Sequence, residues 1–440
     1  MKRFYIYFLS IGCLFLGIAS PLEAQKKKPP VPTLAAIRKA ARAEGLPLSA
    51  EDLRRKPPVP DADNAAPLYV QLTERFDAKK AELEELEKIG LSLINSTTGD
   101  YSSEQIAAGR KILALSAAEF SLILQASQKP DCDFNYPYEL GPETPFPEFA
   151  QMRRAVRYLG IKSVLLDREG KTSEALEQIA TGARIGRHAG KEPTLIALLV
   201  QLALEAIMDR QWHKLVNRHA TEKDFLAKAE KANSNFGALP SMKNGLRGEI
   251  VMGAVIIEQI RSREFNYEEF KISREDFEER LPARNAGMYE KNMLSFWRNA
   301  YKEMNKTNGD PMPIHLVLQK ATADEEKTYK ADEVGHLLNT ILMSSVTQQG
   351  SKIVRTQAMR RMRILKIELL KYRLTHGTFP DDLKQFDVMT VTDPFDGKPL
   401  RYRREGAGFR LWSVGENLKD DGGQTRVGDN KNADVVTFYQ

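Results

Sequence analysis

The stretch "RRAVRYLGIKSVLLDREGKTSEALEQIATGARIGRHAG", Arg153–Gly190, decides how this chain folds. Apolar residues recur at helical spacing up to Leu166, Asp167–Gly170 reads as a tight turn, and a second helical pattern returns through Ile179 and Ile185. That is a helical hairpin. No second copy follows at a fixed period, so the expectation is an irregular helical-hairpin bundle and not a regular repeat array.

The hairpin sets the reading of its neighbours. Upstream, a helical pattern runs from Leu68 to about Leu93, and "YSSEQ" at 101–105 caps another reaching about Ala126, an antiparallel pair. Downstream, "LIALLVQLALEAIM", Leu195–Met208, is apolar all round except for Gln201 and Glu205. It is shorter than the roughly 20 residues of a membrane span, which places it at the centre of the bundle. "EIVMGAVIIEQI" and "GMYEKNMLSFWRNAYKEMNK" add helices, and a last one runs from Glu333 to Leu374 with a break expected near Gly350. Its stripe of Met359, Met362, Leu365, Leu369 and Tyr372 reads as core. The segment "KPDCDFNYPYELGPETPFPEF", 129–149, is irregular, and serves either as a packed crossover or as the wall of a groove.

At 440 residues and 42% hydrophobic content the chain can bury a real core, and disorder is not the default. The formal charge of +6 is a small excess over 65 basic and 59 acidic residues, with no basic stripe interleaved with aromatics, so nucleic-acid binding is not implied. Lys2 and Arg3 precede the apolar run Phe4–Ile18, and Ala24 stands before Gln25, the pattern of a secretory signal peptide over residues 1–24. The competing reading keeps the leader as a membrane anchor. A lipoprotein is the weaker alternative, because Cys13 lies inside the apolar run and Ser10 stands where a lipobox has Leu. The chain is thus expected outside the cytoplasm, in the periplasm or secreted. Cys132 is then the one remaining thiol, which excludes an internal disulfide. Residues 25–67 read as a proline-rich linker with short helices at Thr33–Glu44 and after Ser49, 68–350 as the bundle, and 351–440 as a C-terminal module.

Common catalytic signatures are missing: the sequence has no H-E-x-x-H, G-x-S-x-G, Walker A or G-x-G-x-x-G pattern. His213 and His219 lie six apart, on different helix faces, which does not suit a zinc pair. Carboxylate pairs such as Glu139 with Glu143, or Glu249 with Glu258, fit glycoside hydrolysis no better than a solvated helix face. Two acids at a plausible separation, or Cys132 beside His188 or His213, converging in a closed pocket is the arrangement a hydrolase would need.

From Tyr372 the character changes. "TDPFDGKPLRYRREGAGFRLWSVG" reads as a turn followed by the two strands of a hairpin, so a long helix packs on a short antiparallel sheet. The loop "ENLKDDGGQTRVGDNKNAD" interleaves oxygen-bearing side chains with glycines, as a hard cation such as calcium requires. The order Tyr372–Arg373, Gly377, Phe379–Pro380, Asp393–Pro399, Tyr402, Ser413, Gly415 and Ala433–Asp434–Val435 resembles the periplasmic domain of the type II secretion major pseudopilin, over about the last 85 residues. The upstream region, with "PPVPDADNAAPLY", looks like a group of exported bacterial proteins with no assigned activity. The pseudopilin resemblance implies a calcium site in the final loop. By position it places Asn417 where the family has an acid, and Asp434 at the family's closing Ala–Asp–Ile; Asp420, Asp421 and Asp429 are further ligand candidates from their chemistry alone. A pseudopilin's prepilin leader and filament helix have no counterpart here, so filament assembly is not implied.

The reading that results is a mainly α protein with a small C-terminal α+β module. It is expected to be an exported non-enzymatic scaffold or interaction protein of the cell envelope, with an envelope or secretion protein as partner. The alternative is an extracytoplasmic hydrolase whose site lies between segment 130–147 and the bundle.

Overall fold

The computed structural model describes residues 32–96, 99–239, 241–267, 273–280, 282–306, 316, 333–424 and 434–439, of which 280 and 333–349 are described by backbone alone. The leader over 1–24, the basic start of the linker and Asp429 lie outside them.

The Arg153–Gly190 stretch is the expected hairpin, helix Pro147–Arg168 followed by helix Thr172–Ala189. Gly170 adopts φ +75°, a conformation that suits glycine. The turn closes with Gly170 N–H on Asp167 O (3.0 Å) and Lys171 N–H on Leu166 O (2.9 Å), which satisfies two carbonyls at the helix end. In chain order the helices are α1 (Leu34–Ala43), α2 (Ala66–Ala78), α3 (Lys80–Gly90), α4 (Ser92–Asn95), α5 (Ser103–Leu115), α6 (Ala117–Gln128), α7 and α8 of the hairpin, α9 (Leu195–Arg218), α10 (Lys223–Asn233), α11 (Met242–Ser262), α12 (Arg274–Arg280), α13 (Ala286–Asn305), α14 (Glu333–His376) and α15 (Val388–Val391). Strands β1 (Arg401–Glu405), β2 (Gly408–Ser413) and β3 (Val435–Tyr439) form an antiparallel sheet in that order, with Arg403 opposite Arg410 and Leu411 opposite Thr437. The chain is therefore mainly α with a small α+β module.

Several elements depart from the sequence reading. Each of the two long upstream helices is interrupted, at Lys79 between α2 and α3 and at Ser116 between α5 and α6. The breaks are coupled: Lys79 Nζ donates to Leu115 O (2.9 Å) and to the buried Glu119 carboxylate (2.8 Å), filling an acceptor at the other interruption. The described part of the expected linker belongs to the body. Helix α1 buries Ile37 and Ala41 on α13, and two bidentate pairs hold it there, Arg38 to Glu290 (2.5 and 2.6 Å) and Arg298 to Glu44 (2.9 and 2.7 Å). Helix α9 continues past Met208 because its polar residues find partners inside: Gln211 Nε2 donates to Ile94 O (3.0 Å) and Trp212 Nε1 to Ala229 O (3.2 Å).

Helix α14 runs through Gly350 without a break, so the boundary drawn at 350/351 falls inside one helix. A single interior glycine costs only about 1 kcal/mol, and the residues just after it are packed. Two apolar cores result. One runs from Tyr69 and Phe76 through Met152, Ile179 and Trp212 to Leu369, Phe379, Phe409 and Val435. The other gathers Ile37, Leu198, Ile250, Trp297 and Tyr301. Helix α14 serves both, giving Val354 and Met362 to the first and Ile353 to the second. Among the described residues, no helix is long and apolar enough to cross a membrane.

Candidate functional site

The C-terminal module is organised by Asp393, which is fully buried at the start of the turn before β1. Its carboxylate accepts from Phe395 N–H (3.0 Å), Ser413 Oγ (2.8 Å) and Val414 N–H (3.0 Å), and pairs with Arg401 (2.9 Å). The "DPFDG" turn is thereby tied to the end of β2, where the final loop starts. In that loop Asn417, Asp421 and Asp434 are linked by hydrogen bonds, and Asp420 makes its own contacts beside them. Asn417 Nδ2 donates to Asp421 Oδ2 (2.9 Å), and Asp420 Oδ1 accepts from Trp412 Nε1 (2.9 Å) and Gly422 N–H (3.0 Å). The buried Asp434 accepts from Gly423 N–H (2.7 Å) and Asp421 N–H (3.3 Å). Burial pushes the Asp434 carboxyl up, its two backbone donors oppose this, and the charges of Asp421 and Asp420 push the same way as burial. These carboxylates act as caps on backbone amides. Among the described residues, no group of three or more His, Cys, Asp or Glu side chains is placed to hold a metal ion.

Segment 130–147 closes over the bundle. Asn64 clamps its start, accepting from Asp133 N–H (2.9 Å) and donating to Asp133 O (3.0 Å), while Arg55 pairs with Asp131 (2.7 Å). Its own Cys132 is buried, and behind it lie the buried His188, Glu148 and Glu192. Tyr136 Oη donates to Glu148 (2.6 Å); Tyr138 Oη and Phe134 N–H donate to Glu192, the latter at 2.8 Å. Burial raises the Glu192 carboxyl to about 7 and lowers His188 to about 4. His188 Nε2 faces the Lys129 carbonyl (2.9 Å) and must carry the proton; Nδ1 then accepts from Tyr69 Oη (2.8 Å). Its lone pair is thus engaged and does not serve Cys132, whose thiol burial pushes well up. The members of the other pairs weighed from the sequence take different partners: Glu139 meets Arg54 (3.1 Å), Glu143 meets Asn266 (3.3 Å), Glu258 meets Arg261, and Glu249 accepts from Leu195 N–H (3.2 Å) at the start of α9. His219 binds Asp167 (2.7 Å) and Glu222 (2.6 Å), whereas His213 faces a different cluster.

That cluster, between α9, α14 and β3, was not anticipated. Arg360 grips Glu205 through two bonds (2.6 and 2.5 Å), and Arg363, lying 3.7 Å over the Phe236 ring, donates to Asp209 (2.7 Å). Lys366 Nζ donates to Phe438 O (3.0 Å) beside His213 Nδ1 (3.4 Å). Burial lowers Lys366 to about 7, against the pull of Asp209. The available signal was Glu205 and Asp209 one helical turn apart on an apolar helix, acids that burial obliges to find cations.

Compared with known proteins, the chain matches no family model, no curated protein and no solved structure.

Proposed function

We propose that this chain is an exported, non-enzymatic scaffold or interaction protein of the cell envelope that holds its C-terminal module out to a secretion or envelope partner. The observation that supports this reading is the sharing of α14 by the bundle and the sheet, with Arg360–Glu205 and Arg363–Asp209 buried along the shared face. A module fixed in this way presents its surface in one orientation. On it, Val388 and Met389 of α15 are 73% and 67% exposed, an apolar pair that a partner would cover. Photo-crosslinking from positions 388 and 389 in cells should give one discrete adduct, absent from a control position at Leu374. Equal labelling at all three positions overturns the reading.

The resemblance to pseudopilins and the charges of Asp421 and Asp420 acting on Asp434 favour calcium as the ion that pins the final loop. Calcium should then raise the melting temperature, chelator should reverse it, and Asp434→Ala should abolish the response. No shift at millimolar calcium removes the ion from the proposal.

One observation favours the alternative, an extracytoplasmic hydrolase with its site between segment 130–147 and the bundle. Glu192, raised to about 7, is a carboxyl that can give or take a proton near neutral pH. Hydrolysis of a glycoside or ester panel that disappears in Glu192→Gln is the result that would favour this reading over the first.

A further inference from the structure

We propose that the seating of β3 on α9 and α14 is a proton-operated latch, in which protonation of Lys366 and His213 releases the C-terminal strand. This inference does not depend on the scaffold reading. Its geometry is specific. Lys366, 1% exposed, reaches up from α14 and donates to the carbonyl of Phe438. Thr437 Oγ1 lies 3.5 Å from His213 Nδ1, and His213 Nε2 lies 3.5 Å from Asp209 Oδ2. The two basic groups and the strand above them therefore share one set of contacts. Among the described residues strand β3 pairs with β2 and no other strand, so it can lift while the β1–β2 hairpin stays intact.

The charges facing this contact do not balance when Lys366 is protonated. Helix α9 contributes Glu205, Asp209 and Arg210, and α14 contributes Arg360 and Arg363, with Arg373 further along against the Tyr439 ring (5.3 Å). Asn233 and Thr437 are neutral. Glu205 is matched by Arg360 and Asp209 by Arg363, so among the described residues a charge on Lys366 has no carboxylate of its own, and a charge on His213 adds a second cation to the same set. Lifting β3 lets water reach both groups. The His213 side chain is already 21% exposed, which gives the proton a path.

The sign follows from linkage. Lys366 is held at about 7 in the seated state against an ordinary 10.5, so the seated strand is favoured at high pH and loses that advantage as pH falls toward 7. The opening constant should grow nearly tenfold from pH 9 to 8 and about fivefold from 8 to 7. His213, lowered by burial and by Lys366 and Arg363, extends the loosening below its ordinary 6.5.

The test is native-state hydrogen exchange on the full chain between pH 9 and 6, corrected for the intrinsic pH dependence of exchange. Amides of Val435–Tyr439 should lose protection by these factors while amides of α8 do not, and Lys366→Met should flatten the β3 profile from 9 to 7. A flat wild-type profile at β3, or the same slope in Lys366→Met, overturns the latch. If circular dichroism shows that the variant does not fold, the wild-type contrast between β3 and α8 decides: a slope confined to β3 supports the proposal, and a slope common to both overturns it.

Discussion

Replacing Asp393 by alanine tests whether one buried carboxylate holds the C-terminal module together. The variant removes the acceptor of two backbone N–H groups, Phe395 and Val414, and of the Ser413 hydroxyl, all at residues no more than 5% exposed. Arg401 keeps its second partner, Asp396, at 2.5 Å, so its charge is not stranded. The hydroxyl can turn, but the two N–H groups cannot, and each orphaned buried donor costs about 1–3 kcal/mol. The expected loss is about 4 kcal/mol for Asp393→Ala, and about 2 kcal/mol for Asp393→Asn, which keeps one acceptor oxygen. Hydrogen exchange of the β2 amides reads this directly as a local opening free energy. A loss under about 1 kcal/mol in the alanine variant would mean that water or a rearranged backbone satisfies these donors, and the reasoning fails.

Other consequences of the packing are as direct. A Cβ on Gly248 would lie 2.4 Å from Pro193 O and 3.0 Å from Thr194 Cα, backbone atoms that cannot step aside, so Gly248→Ala should cost about 2 kcal/mol in thermal unfolding. Gly186→Ala is the control: its nearest contact is 3.5 Å from Leu204 Cβ, and helix propensity should make it stabilising by about 0.5–1 kcal/mol. Glu192, raised to about 7 from 4.5 by burial, binds its proton more tightly when folded. Its contribution, of the order of 3 kcal/mol, is fully present below pH 4.5 and is lost as pH rises through 7. Glu192→Gln should remove that slope from urea midpoints measured between pH 4.5 and 8, and an unchanged slope assigns the titration to another group.

How much of this was legible in the sequence depended on the range of the forces involved. The α7–α8 hairpin was readable because its signals are local: period, turn and Gly170. The β1–β2 hairpin was readable for the same reason. The third strand, Val435–Tyr439, finds its partner across a long loop, and no local rule announces that pairing. The interruptions at Lys79 and Ser116 were hidden because each is stabilised by the other. Docking of α1 rests on ion pairs between residues such as Arg38 and Glu290, far apart in the chain, so prolines around it suggested a linker. Of the ligand candidates, Asn417 and Asp421 bond to each other and Asp434 accepts from the Asp421 amide, while Asp420 turns to Trp412 and Gly422. That they cap amides follows from backbone placement, which composition does not contain.

Helix α14 also bears on how this architecture can change over generations. A cassette that is exchanged between genes must carry its own interior, yet here Ile353 belongs to one core while Val354, Met362, Leu369 and Leu370, on the same helix, belong to the other, which runs from the bundle into Phe409 and Val435 of the sheet. Cutting at 350 would leave the bundle with an open trough and the sheet with surplus greasy surface. The joint that spares both interiors lies beyond the core residues Phe379 and Leu383, at the exposed Lys384 and Gln385 before α15. Lineages that lengthen or replace the sheet should do so from there onward and keep the helix.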